Sequence, residues 1–169
     1  MKLNAIAIAL CLSGAAWAQT GPSAANEAKQ AYNRTKSVLT RAAEKIPEAD
    51  YSFKATPDVR TIGALIGHVA DAQARMCAGL TGSQPPASAS SKTAKADLVA
   101  VLQESFSLCD KAVDSLTEAN ALEAVGSGRM QRTRIGAIYG MIIHSNEEYG
   151  YLAVYLRLKG IVPPSSEGR

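Results

Sequence analysis

The chain has 169 residues and a formal net charge of +3, with 47% hydrophobic and 5% aromatic residues. That length is enough for one domain with a substantial core. A charge this weak, with no basic block, excludes nucleic-acid binding, and so few aromatic residues argue against a β-sandwich.

Residues 1–18 read as a cleaved signal peptide. Lys2 supplies the positive start, Ala5 to Ala15 is an apolar or small-residue run too short to span a bilayer, and Ala16-Trp17-Ala18 is a small-x-small cleavage site. Cys11 does not make this a lipoprotein leader, because Leu10 before it is too bulky for that cut. Cleavage leaves Gln19 first and residues 19–169 as the mature domain. The expected protein is exported, periplasmic or secreted from a bacterial cell, with no membrane attachment after cleavage.

Apolar residues at helical spacing then mark four segments. The first runs from about Ser23 to Ile46, with Ala28, Ala31, Thr35, Val38, Ala42 and Ile46 as its stripe and Pro47 helping to stop it. Residues 49–60 form a loop with turn signals at Glu48-Ala49-Asp50 and Thr56-Pro57-Asp58. A second helix starts at the N-cap Thr61, buries Ile62, Leu65, Val69, Ala72 and Met76, and ends at Gly79 and Gly82. A Ser-, Ala- and Pro-rich surface connection follows to Lys92. The third helix begins after Thr93, with Leu98, Val101, Ser105, Cys109, Ala112 and Leu116 inward. Residues 117–132, with Gly126 and Gly128, read as a loop, and the last helix runs from about Thr133 to Lys159, with Gly160 closing it and Pro163-Pro164 beyond. No strand-like alternation is visible.

Four helices of similar length in one domain predict an all-α four-helix bundle. The connection from Thr81 to Thr93 is long enough to run the length of the bundle, so helices two and three can be parallel. Two cysteines remain after cleavage, Cys77 and Cys109, and an exported chain favours their pairing. Cys77 follows Ile62 by as many residues as Cys109 follows Ala94, so the two sit at equal depth only if their helices run the same way. Antiparallel helices would hold the sulfurs far apart, as two small buried residues that never meet.

Only two histidines occur, His68 and His144. Glu148 follows His144 by one helical turn, so the two share a face. His68 lies one residue off the main stripe of helix two, and His144 and Glu148 lie on a secondary stripe of helix four with Met141 and Tyr151 or Tyr155. An imidazole facing a His/carboxylate pair is a three-ligand site suited to Zn²⁺, Fe²⁺ or Ni²⁺, with open coordination positions. Taken singly, His68 reads as a partly buried hydrogen-bonded residue and Glu148 as a solvent-facing one beside Glu147. Asp71, Arg75, Asn146 and Glu147 lie within a turn or two and are candidates for orienting the ligands from behind. Tyr149, Tyr151 and Tyr155 are candidates for lining a pocket or for packing.

The run from His144-Ser145-Asn146-Glu147-Glu148-Tyr149-Gly150 through Leu152 to Ser165 resembles the last helix of the DinB-like (DinB/YfiT) superfamily, and Gly67-His68-Val69-Ala70-Asp71 resembles its second helix. The resemblance covers nearly all of residues 19–169. It implies a four-helix bundle in up-down-down-up order, with a divalent metal on three histidines: one from helix two and two from an H-x-x-x-H pair on helix four. On this chain those positions are His68, His144 and Glu148, so the pattern reads H-x-x-x-E and departs at one ligand. A carboxylate in that place either retains a metal with altered preference or marks a lost site.

Two functional readings follow. One is a metal-dependent enzyme, a transferase acting through an ionised thiol or a hydrolase, in which His68, His144 and Glu148 are ligands and no side chain need be the nucleophile. The other is a non-catalytic bundle that binds a small-molecule ligand or a partner, including a second copy of itself as a homodimer, and whose metal site is degenerate.

Overall fold

The computed structural model describes residues 22–168, so the expected signal peptide at residues 1–18 lies outside the described residues. Four helices make up the domain: α1 (Ala24–Lys45), α2 (Ile62–Thr81), α3 (Lys95–Asp114) and α4 (Arg134–Leu158). Three start where a side-chain oxygen can take up an orphan backbone donor. Ser23 accepts from Asn26 N, Thr61 from Ala64 N and Thr133 from Gly136 N. α3 starts at Ala94 with no side-chain cap. Gly82 ends α2 in the left-handed conformation with φ 69°. Gly79, expected to share that role, sits inside the helix.

Residue pairs fix the order of the bundle. Along α1 and α3, Tyr32 bonds Asp110 and Lys95 reaches the Glu44 carbonyl, an antiparallel register. Between α2 and α3, Leu98 lies against Gly63 and Cys109 is bonded to Cys77, so these two run parallel. α2 and α4 are antiparallel, with Tyr155 donating to the Arg60 carbonyl just ahead of α2 and Met141 packing on Cys77. α1 and α4 run parallel through Thr35–Asn146 and Lys45–Val162. The arrangement is up-down-down-up.

One core holds these helices together. Leu39, Ile62, Leu98, Leu102, Phe106, Ile138, Leu152 and Leu156 are among its fully buried members. Each such side chain contributes about 1.5–3 kcal/mol of apolar transfer energy. The Cys77–Cys109 disulfide staples α2 to α3 with Cα atoms 5.0 Å apart. The Met141 thioether lies 3.1 Å from Cys77 Sγ; a disulfide sulfur carries no proton, so this is a packing contact.

The connections carry more structure than the sequence shows. Glu48–Asp50 is a turn of 3₁₀ helix. In the last connection, β1 (Ala124–Val125) pairs antiparallel with β2 (Arg132–Thr133), strands too short to leave an alternation. The connection from α2 to α3 is tied down by Asp71, whose carboxylate accepts from Ser88 Oγ at 2.7 Å and from Ala89 N at 2.8 Å. Ala89 is thereby buried against Gly67, whose missing side chain leaves the room.

Candidate metal centre

α2 and α4 face each other in antiparallel register, and that packing brings His68, His144 and Glu148 together. One ligand atom from each lies within 4.8 Å of the others. The two imidazoles meet edge to face, with centroids 5.3 Å apart and planes at 77°. His68 Nε2 is 3.4 Å from Glu148 Oε1. The ends of the trio differ in exposure: Glu148 is buried, whereas His68 keeps 28% of its side chain open to solvent. The sequence reading of Glu148 alone as solvent-facing is corrected by the way the α4 stripe turns towards α2.

Burial lowers the His68 pKa below its ordinary value, and the positive charge of Arg60 lowers it further, against the opposing pull of Glu148. This lowering favours the neutral imidazole, the form that offers a lone pair to a metal. Two donor atoms of the trio, His144 Nε2 and Glu148 Oε2, are buried with no hydrogen-bond partner among the described residues. Buried polar atoms are ordinarily satisfied, because leaving them bare costs free energy of desolvation. Two of the five buried side-chain atoms without a partner among the described residues thus belong to the trio, and a nitrogen, nitrogen, oxygen donor set is what a divalent ion takes.

The four residues expected behind the ligands are directed elsewhere. Asp71 binds the α2–α3 connection, Asn146 accepts from Thr35 Oγ1 at 3.0 Å, and Glu147 accepts from the Tyr151 hydroxyl at 3.0 Å. Arg75 is exposed, and its charge adds a smaller lowering at His68. None of the four hydrogen-bonds to the trio among the described residues. Of the tyrosines, Tyr149 turns to Ser165, whereas Tyr151 and Tyr155 line a groove of about 600 Å³ with Arg60 and Leu65. Arg60 carried no signal in the sequence, since it precedes the helix and only the fold carries its charge to His68. Gln73 was missed as well: its side chain is buried in the core, with Nε2 unpartnered.

The model of the DinB superfamily matches residues 31–152. Among solved structures, the chain is similar to a DinB-like protein from Bacillus cereus, at 13% identity with a TM-score of 0.69, over 82% of this chain and 95% of that one. It is also similar to a conserved protein from Enterococcus faecalis, at 14% identity with a TM-score of 0.58, over 80% of this chain and 99% of that one. At these identities the two structures speak for the fold. No curated protein sequence matches the chain.

Proposed function

The chain belongs to the DinB superfamily, and from that premise we propose that it is an exported divalent-metal protein whose ion is held by His68, His144 and Glu148. The observation that carries this reading is the convergence of one ligand atom each from His68, His144 and Glu148 within 4.8 Å, with His144 Nε2 and Glu148 Oε2 buried and unpartnered among the described residues. Export is supported by the Cys77–Cys109 disulfide, which an oxidising compartment sustains, and by the leader-like composition of residues 1–18. No described helix is long and apolar enough to cross a membrane.

A divalent ion on three protein ligands keeps open positions and supplies Lewis-acid chemistry to a water or thiol. The chain's own contribution is to favour neutral His68, to bury Glu148 beside it, and to leave the His68 side open for a substrate. A metal-dependent hydrolase or transferase follows from that arrangement. The donor set with one carboxylate suits Zn²⁺, Fe²⁺ or Ni²⁺.

The test is metal content of the mature protein by elemental analysis, beside His68→Ala and Glu148→Gln. About one ion per chain is expected in the parent and none in the variants. Added Zn²⁺, Ni²⁺ or Fe²⁺ should raise thermal stability, by about 2.7 kcal/mol at a hundredfold excess over Kd. A parent that neither holds nor responds to any of the three ions would favour the non-catalytic reading.

A further inference from the structure

A second groove of about 300 Å³ is lined by α2, the start of α4 and the β1–β2 connection, on the side of the trio away from Arg60, and no member of the trio lines it. Its apolar wall comes from Met76, Leu80, Val125 and Met130. Two guanidinium groups, Arg75 of α2 and Arg132 of β2, line the same groove, and no aspartate or glutamate does. Neither arginine has an ion pair or a side-chain hydrogen bond among the described residues. Their neighbour Arg134, by contrast, pairs with Glu123 at 3.2 Å.

The placement of the two arginines is built into the fold. Arg75 follows His68 by two helical turns and so lies on the same face of α2. Arg132 crosses onto α4 at Gly140, where its Nη1 would stand only 3.1 Å from any added Cβ. Gly140 precedes His144 by one turn on one face of α4. A side chain at that position would press the Arg132 guanidinium back by a few tenths of an ångström. The β1–β2 pairing, with Val125 opposite Arg132, fixes the strand that presents it.

Two like charges across one groove repel unless an anion sits between them, and planar guanidinium groups match a carboxylate through paired hydrogen bonds. We propose that this groove binds a small carboxylate with an apolar body, its carboxylate end held by Arg75 and Arg132 and its tail lying towards Leu80, Val125 and Met130. As the substrate class of the metal centre, the assignment rests on the reading of His68, His144 and Glu148 given above. The binding of the acid does not, since the arginines hold it.

The test is calorimetric titration of the mature protein with hexanoate, hexan-1-ol and hexylamine, with and without EDTA. Hexanoate should bind saturably and at least about tenfold more tightly than the alcohol or the amine, the scale of a charge-assisted contact. Arg75→Gln and Arg132→Gln should each weaken it by about tenfold, while Arg34→Gln on α1 leaves it unchanged. Circular dichroism checks that these surface variants fold. Absence of saturable hexanoate binding, equal affinity for acid and alcohol, or indifference to both arginine variants would overturn the proposal. Hexanoate binding that persists in EDTA in a protein that takes up no metal would leave the groove standing and remove the metal reading. Binding that appears only with added Zn²⁺ would do the reverse.

Discussion

His68 Nε2 and Glu148 Oε1 stand 3.4 Å apart although α2 and α4 are not joined by any direct connection. The carboxylate is buried, and its second oxygen has no partner. A buried carboxyl group with an unpartnered oxygen costs folding free energy in the metal-free protein.

Glu148→Gln should therefore separate stability from binding. In EDTA the variant is expected to be more stable than the parent by about 1 kcal/mol, since a neutral amide is cheaper to bury. With Zn²⁺ the order should reverse, because the parent gains by mass action and the variant does not. Urea denaturation under both conditions measures this. A variant less stable in EDTA would show that Glu148 serves the fold.

The disulfide closes a loop between residues separated by 32 positions. Replacing both cysteines by alanine should cost on the order of 3–4 kcal/mol if loop entropy dominates. Intact mass after alkylation without reductant should show no labelled thiol at Cys77 or Cys109.

Glycines on the two sides of α2 should respond oppositely to alanine. At Gly79 an added Cβ meets nothing within 4 Å, so Gly79→Ala is expected to stabilise by about 0.5–1 kcal/mol. At Gly63 it would stand 3.1 Å from Leu98 Cδ1 and 3.2 Å from the Tyr51 carbonyl oxygen, which also accepts the Gly63 N–H at 2.8 Å. The backbone there cannot yield without stretching that bond, so Gly63→Ala should lower Tm despite its better helix propensity.

Alkaline pH should unfold the protein through its buried tyrosines. Burial raises the Tyr32 pKa far above its ordinary 10.0, helped by the hydrogen bond to Asp110 and that carboxylate's charge. Tyr51 is raised by burial and then by Glu44 and Glu48. The unfolded chain ionises these groups near 10 while the folded chain does not, so their contribution is intact below that pH and lost as pH rises past it. Absorbance at 295 nm should show the two phenols ionising only with unfolding. Tyr32→Phe, at a cost of about 1–2 kcal/mol near neutral pH, should flatten the alkaline slope.

Helix positions were legible because caps and stripes are local. Ser23, Thr61 and Thr133 announce three starts, and the α3 stripe from Leu98 to Ala112 is buried throughout, with Leu116 buried just beyond the end of the helix. The paired strands of the last connection were not legible, since two residues are too few to alternate. Asp71, Asn146 and Glu147 were placed near the ligands by spacing alone, but Asp71 and Asn146 each had a partner on another element that spacing cannot name, and Glu147 turned to Tyr151 one turn along its own helix.

By itself, the sequence determined the four helices, the sharing of one face by His144 and Glu148, and the equal depth of Cys77 and Cys109, because each depends on the α-helical repeat. Which helix each face meets was decided only by the tertiary structure. The rotation of α4 against α2 turns Glu148 inward to His68, and the seating of β2 carries Arg132 over Gly140. Rotations of this kind are set by core packing among residues distant in the chain, a term that no local repeat contains.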